Sequence, residues 1–405
     1  MTSPTSRRAS EWRSRAIGAT ATVLGRVVPR RPPPAPGSVR RLVVVKPASL
    51  GDVILASPAV ATLRAAFPGA KLSLATGRWS LPAARGIPGI DEVIDLGTFG
   101  TPGRFGPRDL PAAVRTLKGG DHDLAIVLDR SPLVAAAPWL AGIPHRAGID
   151  SDGRGFAHGV RVAWTRRRHE ADLYLDVARA VAGQSGIPAG AVPRLAFEPG
   201  AEATAEADVM WRGSGLDRDA GRVVVIHPGG GVNPGMSLDA KRWPADRFAA
   251  VARHLAALGM RIAIVGHASD AAATTATLAG LTDVPVVDLT GRAGFGALAA
   301  LIGRADGYLG NDSVPLHLAV AMGTPAVGLY GPTDPRVYGP YAPPGGTYAT
   351  RGIGIVAPGA CSQVRPFRPG PIDACPGCRC IDAITPSDVV DAVRRVVAEG
   401  RAAVA

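Results

Sequence analysis

The sequence predicts an α/β protein made of two similar halves, and three observations carry that prediction. Two segments share one order of elements. "RRLVVVKPASLGDVILASPAVATLRAAFPGAKLSLAT" reads strand, loop, helix, strand, and "GRVVVIHPGGGVNPGMSLDAKRWPADRFAAVARHLAALGMRIAIVGH" repeats it with a longer glycine-rich loop. In each, a β-branched apolar run of about four residues suits a strand buried on both faces, and a helix-period stretch follows. The length, 405 residues, is also more than one ordinary core holds.

Taken in order, the first strand runs into Lys46 and Pro47, then into a small loop that ends in Gly51-Asp52. Ser57-Pro58 is either the cap and first turn of the following helix or a kink in one that began near Asp52. Strands are expected at "LAIVLD" (124–129) and "RVAW" (161–164) in the first half. In the second half they are expected at "VPVVDLT" (284–290), "GYLGND" (307–312) and "PAVGLYG" (325–331). In the helix of the second repeat Phe248, Val251, His254, Leu255 and Leu258 share a face, and Gly259 ends it. Such alternation predicts two Rossmann-like domains facing each other across a cleft. The expected boundaries are a basic, proline-rich tail without fixed structure over 1–38 and an N-terminal domain over 39–185. A crossing segment rich in Pro, Gly and acid covers 186–220, a C-terminal domain 221–385, and a closing helix 386–405 capped by Pro386-Ser387-Asp388.

Composition narrows the classes of function. The 46% hydrophobic and 19% charged content describes a globular chain, not a disordered one. A net charge of +12 favours anionic partners. Nucleic acid is excluded, because aromatics total 5% and none interleave with a basic stretch. Nearly all the positive charge is arginine; the only lysines are Lys46, Lys71, Lys118 and Lys241. No apolar run reaches the roughly 18 residues of a membrane span. The expected address is therefore cytoplasmic, with the basic N-terminal segment a candidate peripheral anchor on the inner face of an anionic membrane.

Four stretches carry chemistry. Gly51-Asp52 by itself reads as a helix entrance, since carboxylates favour helix N-termini; the functional reading makes Asp52 a general base at the mouth of a crevice. "HPGGGVNPGMSLDAKRWP" places Gly229 to Gly231 after a strand, where backbone amides approach phosphate oxygens, and Lys241 then supplies a point charge. It matches neither the Gly-Lys-Ser/Thr phosphate loop nor the dinucleotide fingerprint. "GYLGNDSVPLHLAVAMGTPAVGLYGPTDP" runs a strand into Asn311-Asp312-Ser313, with Pro315 in the first helical turn and the amides of Ser313 and Val314 free for an anion. His317 follows one turn in, and the tight turn "YGPTDP" is a neighbour of the same ligand. In "VGHASDAAAT", Asp270 stands where a carboxylate can pair with ribose hydroxyls or simply cap a helix.

Other features read as structural. Cys361, Cys375, Cys378 and Cys380 are expected as reduced thiols, a zinc site being the alternative. "DHD" at 121–123 is read as the turn before a strand, an Asp-x-Asp metal motif being its alternative, and Arg130 and Arg146 as solvated arginines, the alternative for these two being an acceptor phosphate.

Together "SLGDVILASPAV", "KRWPADRFAAVARHL", "VPVVDLTGRAGFGALAALIGRAD" and "NDSVPLHLAVAMGTPAVGLYGPTDP" resemble the heptosyltransferase family, glycosyltransferase family nine, over about residues 39 to 395. The resemblance implies the GT-B fold. It also implies inverting transfer, with no metal and no cofactor, of a sugar (often heptose from ADP-heptose) onto a lipopolysaccharide-core or related glycan hydroxyl. On that resemblance Asp52 is the base, with Ser49 and Gly51 beside it as substrate-binding residues. Lys241 contacts the diphosphate beside Gly230, Asp270 holds the ribose, and Asp312, Ser313 and Val314 form the donor-contacting turn, with His317 in the same motif. The chain departs from the family pattern in carrying Val314 where Gly is usual, Asp270 where Glu is more common, and a longer loop before Lys241. Three rivals remain at this level: a nicotinamide dehydrogenase, which lacks its fingerprint here; a nucleotide-sugar epimerase of the same fold; and a non-catalytic nucleotide-sugar-binding protein.

Overall fold

The computed structural model describes residues 21, 23, 25–32, 34–101, 104–165, 168–183, 193–217, 221–234, 236–343, 351–356 and 380–402. The chain divides into two compact units between Pro193 and Arg194. Each is built on a six-stranded, wholly parallel sheet.

In the N-terminal unit the strands are β1 (Arg41–Val45), β2 (Lys71–Thr76), β3 (Glu92–Asp95), β4 (Leu124–Val127), β5 (His145–Asp150) and β6 (Val160–Ala163). They lie in the order β3-β2-β1-β4-β5-β6. The C-terminal unit repeats that order as β11-β10-β7-β12-β13-β14, from β7 (Val223–His227), β10 (Arg261–Ile264), β11 (Val286–Asp288), β12 (Gly307–Asn311), β13 (Ala326–Tyr330) and β14 (Gly352–Val356). A small antiparallel pair, β8 (Val232–Asn233) with β9 (Met236–Ser237), stands between β7 and Lys241. The order reverses beside the first strand of each sheet, and there the loops leaving the strands open a crevice.

The helices that matter are α1 (Leu50–Leu55), α2 (Ser57–Ala66), α3 (Leu110–Gly119), α4 (Pro132–Leu140) and α5 (Glu170–Ala182) in the first unit. In the second they are α6 (Ala201–Gly213), α7 (Ala245–Ala257), α8 (Ala271–Leu278), α9 (Phe295–Arg304), α10 (Val314–Ala321) and α11 (Pro386–Ala402). The Ser57-Pro58 question resolves as a break: α1 starts at Leu50, pauses at Ala56, and α2 resumes with Pro58 in its first turn, where its missing N–H costs nothing. In α7 the buried face is Phe248, Val251, Ala252 and Leu255, while His254 and Leu258 are exposed, contrary to expectation. Gly259 follows with φ +81°, the left-handed conformation that ends a helix.

Two expected stretches read differently in the structure, while the closing helix packs on a domain and differs only in its cap. Residues 25–32, within the stretch expected to be an unstructured tail, are seated on the first unit: Val28 packs with Ala136, Phe156 and Ala157. The carbonyls of Pro29 and Pro32 there meet Arg146 Nη2 (3.1 Å) and His145 Nδ1 (2.8 Å). Within the expected crossing segment, α6 buries Ala207 and Trp211, one turn apart, and packs on α9. The closing helix α11 packs on the second unit and belongs to its core. Its Val389, Val390, Val393, Val396 and Val397 join Phe248, Leu255, Leu309 and Val327 in one apolar cluster. Its cap is Thr385, whose hydroxyl donates to Asp388 Oδ2 and accepts from the Asp388 N–H. The "DHD" stretch is a turn: Asp123 Oδ2 accepts from the backbone N–H groups of Arg40 and Arg41 and so ties β4 to the start of β1.

Candidate active site

In the N-terminal unit, parallel register builds the first cluster. Val45 pairs with Ala75 on one side and Val127 on the other, so the residues that leave β1 and β4 emerge side by side. Lys46 is 4% exposed, and its ammonium lies 3.6 Å from Asp52 Oδ2 and 3.7 Å from Asp129 Oδ2. The same ammonium donates to the Ala48 carbonyl and stands 5.7 Å from the centre of the Tyr174 ring. A buried ammonium needs such company, because desolvation is repaid only by paired charge and hydrogen bonds.

Asp52 is the third residue of α1, and Ser49 is the helix's N-cap. The Ser49 N–H donates to Asp52 Oδ2 at 3.1 Å and the Ser49 hydroxyl at 3.4 Å. Gly51, beside it, is buried in the first turn. All three contacts to Asp52 thus fall on Oδ2, and Oδ1 has no protein donor among the described residues. The first residue of α5, Glu170, completes the group. It is 2% exposed and pairs with Arg130 at 2.9 Å. Burial pushes its carboxyl up, Arg130 opposes the rise, and the nearby Asp52 charge adds to it.

The second cluster forms on the same edge of the other sheet. Ile226 pairs with Leu309 and with Ile264, which brings the exits of β7, β12 and β10 together. Lys241 Nζ donates to Asp312 Oδ2 at 2.6 Å, and the Thr333 hydroxyl donates to the same oxygen at 2.6 Å. Burial opposes ionisation of Asp312, yet the Lys241 charge, with help from Thr333 and His317, outweighs it and holds the carboxyl below its ordinary range. His317 is buried one turn into α10.

Asn311 fastens the glycine-rich turn to β12. Its Nδ2 donates to the carbonyls of Pro228 (3.0 Å) and Gly229 (2.9 Å), while its Oδ1 accepts from the Trp243 N–H (3.0 Å). Gly230 has φ +100°, and a Cβ on it would stand 2.7 Å from the Ser313 Cβ, so only glycine fits. Its N–H donates to Asp270 Oδ1 at 2.9 Å and its carbonyl accepts from Arg242 Nε at 2.8 Å. Asp270 Oδ2 takes the His267 N–H at 2.9 Å and meets His227 Nε2 at 3.2 Å. Burial works against this carboxylate, but His227 and the two amides overcome it and hold the group at about 2. Ser313, the N-cap of α10, turns its hydroxyl to His227 Nδ1 (3.2 Å) and the Asn311 carbonyl (3.2 Å).

The structure therefore gathers Ser49, Gly51 and Asp52 in one crevice. It gathers Gly230, Lys241, Asp270, Asp312, Ser313, Val314 and His317 in the other. Asp270 takes the His267 N–H at the start of the short turn before α8, the helix-capping one of its two expected readings, and also braces the glycine turn. The Gly230 amide, expected to be open to a phosphate oxygen, is taken by that same carboxylate. Arg146 is not solvated either: it is 6% exposed and donates to the carbonyls of Ala157, Ile143, Pro144 and Pro29. Arg130 is paired with Glu170 and lies 5.5 Å from the Trp164 ring.

Of the cysteines, Cys380 is half-buried and Cys361, Cys375 and Cys378 lie outside the described residues. The reading of motifs missed Lys46, Asp129, Glu170 and His227 beside these clusters, whereas Thr333 lies in the "YGPTDP" turn that it singled out. Lys46 carried a usable signal, being one of four lysines and placed at the end of a buried strand.

Comparison with known proteins gives the family and the fold. The family model described as glycosyltransferase family 9 (heptosyltransferase) matches residues 111–348, more than half of the chain. The chain is 28% identical over 306 residues to lipopolysaccharide heptosyltransferase 2 of Escherichia coli (strain K12), covering 73% of this chain and 84% of that one. Among solved structures it is similar to a family 9 glycosyltransferase from Veillonella parvula, with TM-score 0.71 and 24% identity, covering 89% of this chain and 98% of that one. It is also similar to the Escherichia coli ADP-heptose LPS heptosyltransferase II, with TM-score 0.66 and 22% identity, covering 89% and 99%. The two parallel six-stranded sheets and these likenesses give the fold as GT-B. Through the family model, which spans β4 to β13, this chain belongs to glycosyltransferase family 9, the heptosyltransferases, and is a glycosyltransferase.

Proposed function

We propose that this enzyme moves heptose from ADP-heptose to a hydroxyl of a lipopolysaccharide-type cell-envelope glycan, with inversion at the anomeric carbon and without a metal. The observation that carries the reading is the Lys241–Asp312 pair at the exit of β12, 2.6 Å apart beside a glycine turn. A lysine held there by a buried carboxylate can meet the charge of a departing diphosphate. The relatives named for ADP-heptose and lipopolysaccharide support the choice of donor and acceptor.

In this reading the C-terminal unit holds the donor through Lys241, Asp312, Ser313 and Val314, with Gly230 and His317 shaping the turn. The N-terminal unit holds the acceptor. Asp52 takes the hydroxyl proton on Oδ1, the freed oxygen forms its bond to the anomeric carbon, and the bond to the diphosphate breaks. Lys46 and Ser49 keep Asp52 Oδ2 occupied, so the other oxygen does the work. A lipid-linked acceptor would be met at the inner membrane surface. Val23 and Val27, 61% and 75% exposed beside Arg26 and Arg30, support peripheral contact there. Among the described residues no helix is long and apolar enough to cross a membrane.

The test is transfer from ADP-heptose to deacylated and intact lipopolysaccharide core by the purified chain, with and without EDTA, and NMR of the new linkage. Heptose transfer with inverted configuration and EDTA resistance is expected. Donor isomerised in the absence of acceptor, or retained configuration, would overturn the reading.

A further inference from the structure

The carboxyl edge of the first sheet carries one large side chain that neither the core nor the proposed chemistry uses. Strand β2 lies beside β1, Ala75 against Val45, so the turn that leaves it stands next to the loop that leads to Asp52. The two are fastened together. The Thr76 hydroxyl donates to the Lys46 carbonyl and the Gly77 N–H to the Pro47 carbonyl, both at 2.8 Å. A Cβ on Gly77 would stand 2.8 Å from that second oxygen and 2.9 Å from the Phe99 carbonyl, so only glycine lets the loops close up. The turn proper, Arg78–Ser80, begins with the Arg78 N–H on the Gly97 carbonyl at 2.7 Å and ends on the buried Ser80. It lies against α1, and the short helix that follows it, Leu81–Ala84, packs on α1 as well.

At the middle of this turn Trp79 is 41% exposed. A single exposed apolar side chain ordinarily needs no explanation, so its place in the fold decides. Among the described residues the other large ones are Val23, Val27, Leu140, Val209 and Leu258. All five are aliphatic, and they lie on the N-terminal segment or on and just after α4, α6 and α7. Trp79 alone is aromatic, and it alone stands at the edge where ligands enter an open α/β sheet. The backbone beneath it is held from both sides, and an aromatic on a rigid support binds with little loss of freedom. An indole face carries the negative side of the ring quadrupole. A pyranose ring offers the complement: one face of C–H bonds, apolar and weakly positive, with hydroxyls at its rim.

We propose that Trp79 is a carbohydrate-stacking residue of the first crevice, its indole taking the C–H face of a sugar ring in the acceptor. The ring so held fixes the acceptor beside α1, the helix that carries Asp52. This deepens the acceptor half of the proposed function and rests on it.

The experiment pairs transfer kinetics with calorimetric titration of the full chain, using deacylated lipopolysaccharide core and ADP-heptose. It compares wild type with Trp79→Ala, Trp79→Leu and Trp79→Phe. The Ala and Leu variants are expected to raise KM and Kd for the core about tenfold, the scale of one aromatic contact. Their ADP-heptose affinity, and kcat at saturating core, should stay within a factor of about two. Trp79→Phe keeps an aromatic face and should recover most of the loss. Core affinity unchanged in Trp79→Ala overturns the proposal, and so does a Trp79→Leu that binds core like wild type, since bulk alone would then suffice. A loss that falls equally on ADP-heptose overturns it too. A loss confined to intact lipopolysaccharide, absent with the deacylated core, assigns Trp79 to lipid and overturns it as well. Wild type that binds core beside variants that match it sinks the stacking alone. Wild type that binds no core sinks the acceptor reading itself, so the two failures are told apart.

Discussion

The two crevices of this molecule come from one topology and hold their acids differently. In the N-terminal unit a single ammonium, Lys46, is shared at 3.6 and 3.7 Å between Asp52 and Asp129, and Asp52 keeps one oxygen in reserve. In the C-terminal unit Asp312 is gripped at 2.6 Å by Lys241 and at 2.6 Å by Thr333, and Asp270 is enclosed by His227 and two amides. A carboxylate meant to take a proton needs an oxygen to spare. One meant to hold a lysine or a loop in place needs its charge fixed. On the proposed function the same strand order serves reaction in one half and binding in the other, through the loops alone.

The sharpest way to break that comparison is Asp52→Asn. Turnover should fall at least about a hundredfold, the usual scale for a general base, while ADP-heptose affinity stays within a factor of about two. Steady-state transfer rates beside calorimetry check it, and near-normal turnover would remove the base from this residue.

Asp270→Asn probes the opposite half. Its carboxyl sits at about 2 in the fold against 3.8 ordinarily, so it contributes about 2 kcal/mol at neutral pH. A depressed carboxyl contributes fully above its unfolded value and loses that contribution as pH falls through the folded one. Denaturant melts of wild type and variant should therefore differ by about 2 kcal/mol at pH 7 and converge between pH 3.8 and about 2. A constant gap down to pH 2 would mean that the brace does not depend on charge.

Lys241→Ala should weaken ADP-heptose binding about tenfold and lower turnover with it, since both draw on one ammonium. No change in either would take Lys241 out of the site. The smallest expected effect is Thr333→Val, about 1 kcal/mol of stability from one hydrogen bond to Asp312, read from the urea midpoint.

The sequence showed positions better than partners. Strands β1, β4, β7, β12 and β13 were legible because burial on both faces leaves a continuous apolar run, and their exits marked Asp52 and Asp312. Strands β3 and β14 are only half-buried edge strands and show no such run. Strand β5 hid behind "HRAGID", because Arg146 is buried there on backbone carbonyls that no local pattern reveals. The site partners were invisible for a related reason: Asp270 reaches His227 across 43 positions, and Lys241 reaches Asp312 across 71. Register brings them together, and register is a property of the sheet.

The placement of α11 has a consequence for how the polypeptide is made. Its valines close a core whose other members are synthesised before it, so the second half of the nascent chain stays open until α11 leaves the ribosome. The first half has all its strands and α5 by Ala182 and can fold meanwhile. A stop codon just before Pro386 would leave a finished first half joined to an aggregation-prone second one.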